Sequence, residues 1–546
     1  MRRLATLRGP ILAIALASAP WPAAAQEEPA PETAHQPAAP ERAFFDVVDV
    51  SLVNVEVYVT DRKGDPVTGL TQDDFVVLED GREVTITNFY AEEPPAGDQP
   101  APRAPALPPG TPGAAPAEEV PEDQRLFLVV YIDNFNIRPF NRNRVFRRLR
   151  EFLNENVGRH DKVMLVTYER SFHERVSFTS DPGLINAALY EIETESGHGV
   201  HADSERRDVL HWIEESESVS HAMVRVRQYA GSLFNDLMFT IDALKEMVSN
   251  VGGLPGRKAL LYVSDGLPQV AGEDVYYALH EKYRDSSMLL GSRDYDASRR
   301  FQELAALANG SRVTFYTIDA GGLRTLTAAS VEQTRAGASS YVDSQHIHNL
   351  QAPLLQLAEA TGGRAIINTN DVGPALQEVA RDLRSYYSLG YSPAHVGDGR
   401  YHRIEVRVKQ KGLRVRHRDG YRDKSLQQRM GDGTMAALLF GETGNPLGLG
   451  LDFGRPMPRD GGNFLVPVQV RIPLDQVVLV PQGESWEGRL RVFVAASDEE
   501  GGLSPVQEAA LPITVPAADL DIARQQGWGY DLTLLMRRGY HRVAIG

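Results

Sequence analysis

The chain has 546 residues, a formal net charge of −16, 42% hydrophobic and 24% charged residues, and no cysteine. Disulfides, thiolate metal sites and lipid attachment through cysteine are therefore excluded. An acidic chain repels nucleic-acid phosphates, so no nucleic-acid partner is expected.

The chain opens on Arg2, Arg3 and Arg8, the apolar stretch PILAIALASAPW, and three alanines at 23–25. That order of basic start, short apolar run and small residues reads as a signal peptide over 1–25, so the mature chain is expected in the periplasm or outside the cell. The run is too short and too proline-interrupted for a membrane span. No later stretch is long and apolar enough for one either.

Residues 26–43 are rich in Pro, Ala and Glu and read as a disordered lead. A small β module is expected over 44–91. Val53, Val55, Val57 and Val59 alternate, DRKGDP carries turn residues, and two more strands flank Asp80-Gly81. Proline and alanine then mark 92–124 as a linker.

The period changes over 125–385. LFLVVYI (126–132) reads as a buried strand, and Val145, Leu149, Phe152 and Val157 mark a following helix. KVMLVTYE, ERVSFTS, RKALLYVSDG, SRVTFYTIDA and GRAIIN read as further strands. Apolar rows at Leu184–Ile192, Leu237–Val248 and Val372–Leu383 read as helices. Strands alternating with helices predict an α/β fold: a central, mostly parallel, Rossmann-like sheet with helices on both faces. Polar insertions at 195–232 and 270–300 should decorate its rim. Three strands follow over 386–425. A β-sandwich is expected over 440–546, from the alternations Phe464–Ile472 and Leu490–Ala496 and a closing hairpin in GWGYDLTLLMRRGYHRVAIG.

Ligands collect at the carboxyl ends of strands in such a sheet, and Asp133 and Asp265 both end strands placed inside it. Two carboxylates a few ångströms apart cannot both stay charged cheaply. A hard dication taking oxygen ligands would relieve them, and so would loop N–H donors. Both readings stay open.

With its strand order and GRKALLYVSDG, the 125–385 segment resembles a von Willebrand factor type A domain. The order β module, A-type domain and YYSLGYSP…YHRIEVRVKQKGLRVRHRDGY resembles the exported A-type-related proteins of Acidobacteria. The resemblance implies protein binding at the strand-tip rim and a divalent cation, Mg²⁺ or Ca²⁺, held by Asp-x-Ser-x-Ser, a threonine and a later aspartate. Asp133 and Asp265 match the aspartates. Phe135 and Ile137 stand at the serine positions and cannot ligate, Asn136 is one position off, and the nearest threonine, Thr240, falls in a helix. The expected site is thus degenerate, Asp133, Asn136 and Asp265 holding a cation weakly or not at all.

The expected function is a non-catalytic adhesion or scaffold protein with an unidentified protein partner. The alternative is an envelope hydrolase or enzyme subunit using the rim carboxylates. No nucleophile elbow occurs, and GGLPGRKA (252–259) lacks the ending of a phosphate loop and precedes a strand. His346 and His348, Asp73-Asp74 and the basic run at 403–420 read first as solvated or turn residues.

Overall fold

The computed structural model describes residues 52–92, 125–158, 160–197, 199–324, 339–441, 444–445 and 447–546. The expected leader, the lead, positions 44–51 and the linker from 93 to 124 lie outside the described residues. Two compact units form, one over Ser51–Asp432 and one whose described part is Gly433–Gly546.

The first unit begins with strands β1 (Val53–Thr60), β2 (Phe75–Glu79), β3 (Arg82–Val84) and β4 (Asn88–Glu92). Asp80 and Gly81 both have positive φ, 48° and 79°, which lets a two-residue turn join β2 to β3. The α/β segment follows as β5 (Leu126–Ile132), α1 (Pro139–Asn156), β6 (Lys162–Tyr168), β7 (Phe172–Thr179), α2 (Pro182–Glu193), α3 (Gly199–Glu215) and α4 (Val219–Gly252). It continues through β8 (Arg257–Ser264), α5 (Glu273–Tyr283), α6 (Ser298–Gly310), β9 (Val313–Asp319), α7 (Ser340–Ala360), β10 (Ala365–Ile366) and α8 (Gly373–Arg384). The unit closes with β11 (Tyr386–Tyr391), β12 (Tyr401–Val408), β13 (Arg414–Arg416) and β14 (Gly420–Arg422), and α9 (Leu426–Phe440) spans its boundary.

Six strands form the central sheet in the order β10-β9-β8-β5-β6-β7, all parallel except β7. Every residue of β5 is buried, as a strand covered on both faces requires. Leu128, Val130 and Ile132 meet apolar residues of α1, α2 and α8 on one face. On the other, α6 and α7 pack on β9 and on each other, with α4 against α6. The polar insertions form α3, the start of α4, α5 and the segment Ser286–Tyr295.

The two flanking β segments, read as separate pieces in the sequence, join. β1 pairs with β11 and β13, and β4 pairs with β11, in one sheet. β12 pairs with β2 and β14 in another. Val55, Val57, Phe75, Val77, Leu389, Tyr391, Ile404 and Val406 share the core between them. The α/β segment is therefore inserted into a β-sandwich. The charged run at 403–407 lies on β12, whose alternate residues are exposed while His402, Ile404 and Val406 face inward.

The second unit is also a two-sheet sandwich. β15 (Gly450–Phe453), β16 (Met457–Arg459) and β21 (Trp528–Arg537) pair with β17 (Asn463–Ile472). β18 (Val480–Gln482), β20 (Gln507–Pro516) and β22 (His541–Ile545) pair with β19 (Ser485–Asp498). Val468, Val470 and Ile472 meet Val492, Val494 and Ala496 in the core, so the two alternations mark its inner faces. The expected closing hairpin does not form. β21 joins β17 while β22 joins β19, so the chain changes sheet between them. Alternation fixes which face of a strand is buried and leaves its partner open.

Asp382 ties the inserted segment to the sandwich. Its carboxylate accepts from Arg364 Nε at 2.7 Å and from Arg416 Nη2, on β13, at 2.6 Å. Asp382 is buried, and removing it leaves Arg416 without its anion and Arg364 with Glu378 alone, 2.8 Å from its Nη1. Asp382→Ala should lower the unfolding free energy of the chain by roughly 3 kcal/mol in a urea titration. A loss under about 0.5 kcal/mol would show that the junction does not depend on this ion pair.

Candidate functional site

Parallel pairing of β5 with β8 sets Ile132 opposite Val263. Asp133 and Asp265, each just past its strand, therefore arrive at the same carboxyl edge of the sheet on neighbouring strands. Asp133 N–H continues the ladder to the Val263 carbonyl at 2.9 Å, and Asp265 N–H donates to the Asn136 carbonyl at 3.3 Å. Gly266 turns the chain away beneath α7 at φ 109°, where a Cβ would come within 2.8 Å of Leu350. The glycine after Asp265 is thus required by both conformation and space.

Asp133 is fully buried. Its carboxylate accepts from Asn136 N–H at 3.1 Å, Asn136 Nδ2 at 2.9 Å, Ser264 Oγ at 3.1 Å and the Tyr262 hydroxyl. Burial pushes its pKa above the usual carboxylate range, and these donors oppose the shift. The same burial, with the neighbouring Asp133 charge, raises the Tyr262 hydroxyl far above the ordinary tyrosine value.

Asp265 is held differently. Arg138 donates to it from its backbone N–H at 3.1 Å and from Nε at 3.0 Å, and Asn141 Nδ2 adds contacts at 2.9 and 3.0 Å. Arg138 Nη1 reaches on to Asp203 at 3.1 Å. Burial raises the Asp265 pKa, while the Arg138 charge and these donors hold it down. A third strand tip repeats the pattern. Asp319, ending β9, accepts from Arg324 Nη2 at 2.9 Å and Gln351 Nε2 at 2.7 Å, and Arg324 also donates to the Asp265 carbonyl.

These residues do not fit an octahedral divalent cation, which wants about six oxygens. Both carboxylates already accept from protein donors, and a guanidinium occupies the outer side of Asp265. Ile137 is buried in the apolar core. The Phe135 ring lies edge-on to Tyr168 and under the Arg170 guanidinium, 4.9 Å away. Asn136 turns its amide nitrogen, a donor, toward Asp133. Thr240 does reach the cluster, from inside α4: its Oγ1 stands 3.4 Å from Asn136 Nδ2 and donates to its own helix at the Asp236 carbonyl. Asp133 itself is not placed for acid–base chemistry on a substrate. A buried carboxyl with a raised pKa is a candidate general acid, but Asp133 has no exposed surface through which a substrate could reach it.

Sequence reading missed Arg138, Asn141 and Arg324. The signal for Arg138 was its place, five residues after Asp133 in the segment that leaves β5, where a cation can meet a strand-tip carboxylate. Exposed groups surround the cluster: Phe140, at the start of α1, is 78% exposed and Leu323 56%. Arg144 lies with its guanidinium 6.0 Å over the Phe140 ring and donates to the Ala320 carbonyl, just past β9. Two other expected candidates are bound into the fold. His346 Nδ1 lies 3.3 Å from buried Asp274, itself paired with Arg206. Asp74 accepts from the Thr71 N–H and hydroxyl at 2.8 and 2.9 Å, capping a short turn.

No protein-family model and no curated protein matches the sequence. Among solved structures, the chain is similar to an aerotolerance-related membrane protein from Bacteroides fragilis at 10% identity and a TM-score of 0.24, covering 48% of this chain and 98% of that one. It is similar to the protein BatB from Bacteroides thetaiotaomicron at 8% identity and a TM-score of 0.21, covering 48% and 97%. A von Willebrand factor type A protein from Catenulispora acidiphila aligns at 9% identity and a TM-score of 0.23, covering 58% and 70%. Likeness this distant carries no argument about activity or partners.

Proposed function

We propose that this chain is an exported, non-catalytic adhesion or scaffold protein that captures a protein partner at the strand-tip rim without a divalent cation. The observation that carries the reading is the Arg138 guanidinium, whose Nε lies 3.0 Å from Asp265 and gives that carboxylate its positive partner. The leader-like start of the sequence supports export. Among the described residues no helix is long and apolar enough to cross a membrane. Phe140 and Leu323 supply exposed apolar groups beside the charged pair, the mixture that anchors protein partners.

In this role Arg138 serves two purposes. It neutralises a buried carboxylate, and with 39% of its side chain exposed it presents positive charge to the partner. Capture of one envelope protein should persist whether or not Mg²⁺ or Ca²⁺ is added, and should weaken at least tenfold in the double variant Phe140→Asp, Leu323→Asp. Capture that requires either cation, or that ignores the double substitution, would contradict the proposal.

The guanidinium also sets a pH dependence. The folded pKa of Asp265 is raised, so folding favours its protonated form, and its charged form costs stability once pH exceeds the unfolded carboxylate value of about 4. Arg138 offsets part of that cost. Arg138→Gln should therefore destabilise the fold by about 1–2 kcal/mol at neutral pH, an amount reduced for the partial exposure of Arg138, and by less near pH 4. Urea titrations at the two pH values measure the difference. An equal loss at both would mean that Arg138 acts through packing and not through charge.

A further inference from the structure

Two histidines lie face to face in the sandwich of the first unit. His395 comes from the loop between β11 and β12 and His402 from β12, their ring centroids 3.8 Å apart and their planes 15° from parallel. Four carboxylates surround them. His402 Nδ1 lies 2.9 Å from Asp80 and its Nε2 3.2 Å from both oxygens of Asp398. His395 Nδ1 lies 2.9 Å from Asp423, and its Nε2 3.4 Å from Glu79. That Nε2 is buried without a hydrogen-bond partner.

The arrangement calls for positive charge at each Nε2, from a second ring proton or from a metal ion. If each Nδ1 carries the ring proton and donates it to Asp80 or Asp423, each Nε2 presents a lone pair. Those lone pairs then face carboxylate oxygens, acceptor against acceptor; a second ring proton relieves this by making an imidazolium that donates on both sides, and a metal ion relieves it by taking the lone pair. A carboxylate holding the far nitrogen of an imidazole is also how metal-bound histidines are oriented. One ligand atom from each of His395, Asp398 and His402 already lies within 4.8 Å of the others. Asp398 is further placed by its own N–H, which donates to Asp423 at 3.1 Å.

We infer that His395, Asp398 and His402 form a site for a divalent transition-metal ion, with Zn²⁺ the best match. Two imidazoles and a carboxylate are a ligand set that zinc takes at about 2.0–2.2 Å; magnesium and calcium prefer oxygen alone. Asp80 and Asp423 orient the two rings, and water completes the shell. The rings are too nearly parallel to share an ion as they stand. His395 is the ring that turns, because its side chain is 24% exposed against 9% for His402. The site stands in the sandwich and does not depend on how the rim works.

Titration calorimetry of the metal-free full chain with Zn²⁺ tests this. One equivalent should bind, and affinity should fall at least tenfold in His402→Ala and in Asp398→Asn, while His348→Ala, on the exposed side of α7, binds like the parent. Zinc-edge X-ray absorption on the unsubstituted protein gives a readout independent of how the variants fold, and should show two imidazole neighbours. Absence of one-to-one uptake, uptake unchanged in both site variants, or an edge spectrum lacking imidazole would overturn the site.

Discussion

An ion pair at a strand tip sets the charge balance at the carboxyl edge of the central sheet. Burying two carboxylates at adjacent strand ends is costly unless something positive or hydrogen-bonding meets them. Here Asp133 is met by neutral donors and Asp265 by Arg138 and Asn141. The chain thus supplies from its own side chains the donors and the positive charge that these two carboxylates need. Arg138 is joined through Asp265 to the end of β8 and through Asp203 to α3.

The sheet was legible because its chemistry is local. Seven consecutive apolar residues in β5 and the 3.6-residue rows of α1 and α4 mark buried elements directly. The two aspartates were legible because each ends such a strand. Pairing was less so. The bond between Val53 and Tyr391 strands crosses more than three hundred positions, and nothing in a period of two names a partner that distant. For the same reason the last two strands read as a hairpin although each belongs to a different sheet.

Side-chain partners were the least legible layer. Arg138 sits in a run containing Arg142, Arg144, Arg147 and Arg148, and spacing alone does not say which one turns inward to the rim. Structure separates them: Arg142 is fully buried against Asn134 and the Glu195 carbonyl, Arg148 pairs with Asp371, and Arg138 alone in this group meets Asp265. Thr240 shows the opposite case. Its helical position argued against a role, yet α4 delivers its hydroxyl to the edge of the Asp133 cluster.

The central claim is that protein groups, not an ion, satisfy the two strand-tip acids. A crystal grown with excess Mn²⁺ and measured by anomalous scattering tests it most directly. The account predicts no anomalous peak between the side chains of residues 133 and 265, with the Arg138 Nε still in hydrogen-bond contact. A manganese peak bridging the two carboxylates, with the guanidinium swung into solvent, would contradict it.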